Sequence, residues 1–275
     1  MSFIPHYRVV ESSDSSPEKL AFVLHGALGS GQNFTRFIQR LARERPEYRY
    51  VLVDLRHHGQ SSGAPPPNTL AACAADLRAL GEALGRHPEV LVGHSFGGKV
   101  AIEYARQGGP ALEQVWVLDA VPGGQAATDN TEIAEVIRAV RSVPVPAQSR
   151  KDVVSHLVER VGLSSGLAEW MATNLKRQGE QYVWVFDLDA IEQLMRDYFT
   201  VDLWGYLAEP RSRPEFQLVV AERSDRWTPE MRARARALPA EARVVYHDLP
   251  SSGHWVHVDN PDALLAMMAT HLITA

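Results

Sequence analysis

A single cysteine, Cys73, stands in a chain of 275 residues, which excludes an intrachain disulfide. It sits in the alanine-rich run Leu70-Ala71-Ala72-Cys73-Ala74-Ala75 and reads as a small buried helix residue. No apolar run reaches the roughly 18 residues of a bilayer span. No charged segment followed by a long apolar stretch opens the chain, so neither a membrane span nor a signal peptide is expected. A large excess of either sign of charge is also missing. The net charge is -5 with both signs mixed throughout, which leaves no basic stripe for nucleic acid. H-E-x-x-H, cysteine clusters, G-x-G-x-x-G and a P-loop lysine are all missing, so no metal and no nucleotide cofactor is expected. These absences predict a soluble cytoplasmic protein without a cofactor. The length suits one large or two small domains, with roughly three quarters of the unfolded surface buried on folding.

What is present is organised around Gly93-His94-Ser95-Phe96-Gly97. The apolar run Val90-Leu91-Val92 precedes it and a helix-forming stretch from Gly98 to Ala105 follows. A serine between a strand and a helix, with glycines two places either side, reads as a nucleophile elbow. The turn leaves no room for side chains at its glycines, strains the backbone at Ser95 and pushes the hydroxyl out at the sheet edge.

Leu20–Leu24 is a continuous apolar run that reads as a strand covered on both faces, and Tyr50–Val53, Val115–Leu118, Phe216–Val220 and Val244–Tyr246 read as further strands. Tyr7–Val10 is a short strand-like piece, followed by the polar turn Ser12-Ser13-Asp14-Ser15-Ser16. Helical spacing separates the strands, at Phe34, Phe37, Ile38 and Leu41, and from Leu70 to Leu84 with Thr69 as its cap. A last helix starts at Pro261. Alternating strands and helices predict an α/β fold with a mostly parallel sheet and helices on both faces. Residues 123–213 break the pattern. They carry amphipathic helical stretches, among them Leu167-Trp170-Met171-Leu175, and one short extended segment at Tyr182–Phe186. The expected division is a core of residues 1–122 and 214–275 with a helical cap of residues 123–213.

His25-Gly26, Asp54, Ser95, Asp119, Asp225 and His254 each follow a predicted strand, so they converge on the carboxyl edge of the sheet, where ligands of such sheets bind. A serine hydroxyl needs an adjacent base. Among 11 histidines His254 is the candidate, because its loop, Ser251-Ser252-Gly253, lets an imidazole overhang the sheet edge. His25 and His94 read as loop-bracing groups, His57 and His58 as loop packing, and His257 as a weaker rival. The imidazole needs a carboxylate to fix its tautomer. Asp119, directly after an apolar strand, and Asp225, after the later strand that commonly supplies the acid, both precede His254 and stand even on this reasoning. Negative charge developing on a substrate oxygen calls for two backbone N–H donors. Phe96, after the nucleophile, and Ala27, in the loop after Leu24, are the natural pair. Asp54-x-Arg56-x-x-Gly59-x-Ser61 reads as structural, with Arg56 paired to Asp54 and His25 joining the brace.

Taken in order, His25-Gly26-x-x-Gly29-Ser30, Asp54-x-Arg56-x-His58-Gly59-x-Ser61, Gly93-His94-Ser95-x-Gly97-Gly98-Lys99, Asp119 and Gly253-His254-Trp255-Val256-His257 resemble the α/β-hydrolase superfamily over nearly the whole chain. Within it the chain is similar to the YbfF-type and mitochondrial abhydrolase-domain small esterases. Thr173-Asn174-Leu175 and Asp187–Ile191 look like that group's cap. The resemblance implies a helical cap inserted after the sixth strand and carboxylesterase activity on short-to-medium acyl esters. It also implies Asp119, rather than Asp225, as the acid, since relatives often carry theirs at the end of the sixth strand. Thioesterase, C–C hydrolase and cofactor-free haloperoxidase chemistry use the same three residues. A low-turnover ligand-binding protein of the same fold is the alternative of a different class.

Overall fold

Apolar runs become strands here because the chain supplies helices to cover both of their faces. The computed structural model describes residues 3–13, 16–124 and 132–274. Its main sheet contains β1 (Tyr7–Val10), β2 (Lys19–Leu24), β3 (Tyr48–Val53), β4 (Val90–His94), β5 (Gln114–Leu118), β8 (Glu215–Ala221) and β9 (Val244–Leu249). A separate hairpin is formed by β6 (Leu175–Gln178) and β7 (Gln181–Trp184). The spatial order of the main sheet is β1-β3-β2-β4-β5-β8-β9. Only β1 runs antiparallel to its neighbour; the other pairings are parallel. Asp14 and Ser15 of the expected polar turn lie outside the described residues.

The helices are α1 (Thr35–Glu44), α2 (Leu70–Ala83), α3 (Phe96–Arg106), α4 (Glu132–Ser142), α5 (Arg150–Ser155), α6 (Ser165–Ala172), α7 (Leu188–Thr200), α8 (Trp204–Ala208), α9 (Pro229–Arg236), α10 (Val256–Asp259) and α11 (Pro261–His271). Thr69 caps α2 as expected, its hydroxyl accepting from the Ala72 N–H at 3.1 Å. Strand periodicity sorts the core. Ala21, Val23, Tyr50, Leu52, Val90 and Val92 face α1 and α11, where Phe37, Ile38, Leu41, Leu264 and Met268 complete one cluster. The alternate residues Phe22, Leu24, Val51, Val53 and Leu91 pack in the other cluster with Leu77 and Leu80 of α2 and Val100 and Ile102 of α3.

The insert leaves the sheet after β5 and returns at β8. It is a helical cap whose Val136, Leu157, Met171 and Leu194 belong to the second cluster. It differs from the sequence expectation in one place. Leu175 begins β6 instead of continuing the helix through Met171, because α6 stops at Ala172 and the chain folds back on the Tyr182 segment as a hairpin. Polar contacts fasten the cap to the core. The Asn174 amide donates to the Leu28 carbonyl at 3.0 Å, and the Leu70 N–H donates to the Asp197 carboxylate at 2.7 Å. Lys99 in α3 is fully buried and donates to the Gly123 carbonyl at 2.9 Å and to the Tyr198 carbonyl.

This topology fixes where a site can be. From β2 the chain crosses to β3 on one side, then returns to β4 on the other and continues outward. The crevice at that reversal lies between the carboxyl ends of β2 and β4, which are followed by Gly26-Ala27 and Ser95.

Candidate active site

Ser95 follows β4 with φ 52° and ψ -117°, a backbone conformation that L-residues rarely adopt. The two glycines explain how the turn closes. A Cβ on Gly93 would lie 2.2 Å from the Gly97 carbonyl oxygen, and one on Gly97 would lie 2.6 Å from the His25 carbonyl oxygen. Neither neighbour can swing away, since both are backbone. The turn therefore presents the Ser95 side chain at the head of α3.

His254 reaches this serine from the loop after β9. Its Nε2 is 3.0 Å from Ser95 Oγ and its Nδ1 is 2.8 Å from Asp119 Oδ2. A carboxylate only accepts, so Nδ1 carries the proton and Nε2 faces the hydroxyl with its lone pair. Asp119 is 1% exposed, and its backbone also has a positive φ, of 47°. Its Oδ1 accepts from the Ala221 N–H at 3.0 Å, and its Oδ2 accepts a second bond from the Ser224 hydroxyl at 2.7 Å. Three donors thus hold a buried carboxylate in one orientation, which removes the cost of leaving it unpaired. Asp225 stands apart. Its carboxylate is 83% exposed and pairs with the adjacent Arg226 at 3.3 Å. The structure brings Ser95, His254 and Asp119 together and leaves Asp225 at the surface.

The imidazole loop is itself braced. His94 Nε2 donates to the His254 carbonyl at 2.8 Å, which ties the elbow to the loop carrying His254. Burial, aided by the neighbouring His254 and His257, holds His94 well below the ordinary histidine range, so it stays neutral. His257 stacks on Phe34 at 4.1 Å and is buried, down to about 4, away from any role as a rival base.

Phe96 and Ala27 both line the pocket in front of Ser95. The Phe96 N–H heads α3, where the first turn has no intrahelical acceptors. The Ala27 loop is held by its neighbours. His25 Nδ1 donates to the Gly26 carbonyl at 2.7 Å while its Nε2 accepts from the Leu55 N–H at 2.9 Å. Desolvation lowers His25 and keeps it neutral, which this two-way bonding requires. The bracing motif behind the loop is wired differently from expectation. Arg56 makes a bidentate pair with Asp76 of α2, at 2.7 and 2.9 Å, and not with Asp54. Asp54 is already occupied by the Gly31 and Gln60 N–H groups and by His6, at 2.8, 2.9 and 3.0 Å. His57 and His58 pack as expected, bonded to Asn68 and to the Arg56 carbonyl.

The pocket holds about 90 Å³ and is walled on the cap side by Val136, Trp170, Met195 and Tyr198. Sequence reasoning did not single out Ser224 or Tyr198. Lys99 was legible as the end of the elbow motif, Gly97-Gly98-Lys99, but not as a contact to the cap. Its ammonium lies 4.6 Å from the Tyr198 ring, and burial lowers it to about 8. Among the described residues no group of histidine, cysteine or acidic side chains is arranged to hold a metal, and no helix is long and apolar enough to cross a membrane.

A sheet of this order with a serine elbow, a cap and a hydrogen-bonded Ser-His-Asp chain defines a capped α/β hydrolase. The alpha/beta hydrolase family profile matches residues 21–267, and the chain belongs to that family. It is 31% identical over 254 residues to the mouse (Mus musculus) sn-1-specific diacylglycerol lipase ABHD11, covering 90% of this chain and 79% of that protein. It is 24% identical over 250 residues to the esterase YbfF of Escherichia coli, covering 91% of each. In fold it resembles a marine microorganism esterase, with a TM-score of 0.83 over 98% of this chain and 100% of that one at 21% identity. The chain is thus a relative of the ABHD11 and YbfF-type small esterases.

Proposed function

We propose that this chain is a serine carboxylesterase that cleaves short-to-medium acyl esters through an acyl-enzyme. The observation that carries the reading is the unbroken hydrogen-bonded chain from Ser95 Oγ through His254 to Asp119, at 3.0 and 2.8 Å. Ser95 Oγ attacks the ester carbonyl carbon as His254 Nε2 takes the hydroxyl proton. Asp119 stabilises the resulting imidazolium without itself taking the proton. The Phe96 and Ala27 N–H groups receive the charge on the carbonyl oxygen, each worth about 3 kcal/mol in the transition state. Collapse expels the alcohol oxygen, which leaves with the proton from Nε2. Water then attacks the acyl-enzyme, gives its proton to Nε2, and the acid departs as Ser95 regains its hydrogen. The apolar wall of Val136, Met195 and Tyr198 suits an acyl chain. The names of the mouse and Escherichia coli relatives, a lipase and an esterase, support ester substrates.

The test is the Ser95→Ala variant against a panel of p-nitrophenyl esters, thioesters and carbon–carbon substrates. Ester turnover by the native chain, lost in the variant, is expected. Ester hydrolysis that survives in the variant rejects the role of Ser95, and a clear preference for thioesters or carbon–carbon substrates rejects the substrate class.

A further inference from the structure

A second cavity adjoins the first, and three side chains line both: Leu167 and Trp170 of α6 and Trp255, the residue after His254. The two indole rings meet edge to face with centroids 4.9 Å apart, so they form a thin partition. On its far side lies a groove of about 400 Å³, several times the 90 Å³ of the inner pocket. Val258 lines that groove at 64% exposure, the highest among the large exposed apolar side chains of the described residues. Asn33 and Ser164 place polar groups at the groove as well.

Chemistry says which half of an ester points this way. The departing oxygen must take its proton from His254 Nε2, so the alcohol lies on the imidazole side of the attacked carbon. Trp255 sets its ring 5.9 Å from that imidazole and lines both cavities. Val136 and Met195 line the inner pocket alone. We propose that the outer groove is the binding site for the alcohol arm of the substrate, and that the preferred substrates are esters of extended aliphatic alcohols whose chain passes alongside the contacting Trp170 and Trp255 rings into it. This deepens the esterase reading and rests on it. An alkyl chain in the groove covers Val258 and the indole faces, and each methylene buried there is worth about a fourfold gain in kcat/KM.

Two variants probe the groove without touching the core. Gly166 lines it on α6, and a Cβ there meets nothing within 4 Å, so Gly166→Phe fills the space. Val258→Asp makes the exposed floor polar. Methyl, butyl and octyl butyrate keep the acyl group constant. The native chain should favour octyl over methyl butyrate by at least tenfold in kcat/KM, and both variants should cut that ratio by at least tenfold. The dependence on acyl length, measured with methyl esters, should be unchanged. In parallel, 1-octanol binding to the native chain and to Gly166→Phe is followed by tryptophan fluorescence, with binding expected in the first and weakened at least tenfold in the second. A native octyl-to-methyl ratio near one, or a ratio unmoved by the variants, overturns the proposal. So does a change in acyl-length dependence, which would put the acyl arm in the groove. Absent 1-octanol binding overturns it whatever the ester rates. Octanol binding that responds to Gly166→Phe alongside no ester hydrolysis would instead fail the catalytic reading and leave the groove as an alcohol site.

Discussion

Replacing Asp119 by Asn is the sharpest perturbation of the candidate triad. The new side chain is nearly isosteric, and its oxygen can still accept from the Ala221 N–H, 3.0 Å from the native Oδ1. Its NH2 then occupies the place of Oδ2, which in the native chain accepts from both Ser224 Oγ and His254 Nδ1. The hydroxyl of Ser224 can turn round and accept. The imidazole can meet an NH2 only with an unprotonated Nδ1, which moves its proton to Nε2, against Ser95. A protonated Nε2 cannot take the serine proton, and the imidazolium loses its counter-charge. Loss of the correct tautomer in a serine triad costs about 10⁴ in kcat, or about 5.5 kcal/mol at 1.36 per factor of ten. Asp225→Asn is the matched control. Its carboxylate is 83% exposed and pairs with its neighbour in sequence at 3.3 Å, and exposed pairs are worth about 0–1 kcal/mol. Its kcat should stay within about threefold of the native value. The assay is steady-state hydrolysis of p-nitrophenyl butyrate, with urea unfolding to confirm that both variants fold. Equal losses in the two variants, or more than a tenth of native kcat in Asp119→Asn, would refute the reasoning.

Gly97→Ala should cost about 1–3 kcal/mol in urea unfolding and most of the activity, because its Cβ would sit 2.6 and 2.7 Å from the His25 and Leu24 carbonyl oxygens; native stability and rate would contradict the packing account. Asp76→Asn leaves Arg56 without its buried partner and should cost about 3–5 kcal/mol. Asp54→Asn should leave the Arg56 pair intact, so an identical destabilisation with loss of that pair would argue for the other wiring. Acid should weaken the fold through its buried neutral histidines. Burial lowers His58 to about 3 and His257 to about 4, against an ordinary 6.5. Below 6.5 the unfolded chain binds protons that these rings refuse, so stability falls as the pH drops toward those values. Each ring contributes a loss of about 1.4 kcal/mol per pH unit, or about 2 kcal/mol by pH 5. A urea midpoint that is flat between pH 6.5 and 5 would contradict this.

Most of the sheet was legible because burial on both faces leaves an unmistakable apolar run, as at Leu20–Leu24 and Val115–Leu118. The elbow was legible because its glycines answer to a steric demand within five residues. Contacts between distant loops were not. Asp119 and Asp225 look alike in sequence, and only the fold buries the first and exposes the second. Arg56 stands two residues from Asp54 but reaches helix α2, because backbone N–H groups had already filled the Asp54 carboxylate. Tyr182–Phe186 was legible as extended and overlaps β7, but β6 escaped for a local reason: Leu175 continues the helical spacing of Leu167 and Met171, and only the return of Tyr182 draws it into a strand. Lys99 and Ser224 make their contacts to carbonyls and a carboxylate contributed by other segments, so no spacing rule marks those contacts.

The central claim is that Ser95 is the attacking group, activated by His254. A fluorophosphonate probe followed by peptide mass mapping tests it most directly. The account predicts one adduct, on Ser95, forming in step with loss of esterase activity and slowed at least a thousandfold in His254→Ala. An inactivated protein with Ser95 unmodified, or labelling of Ser95 that proceeds equally fast without the imidazole, would contradict it.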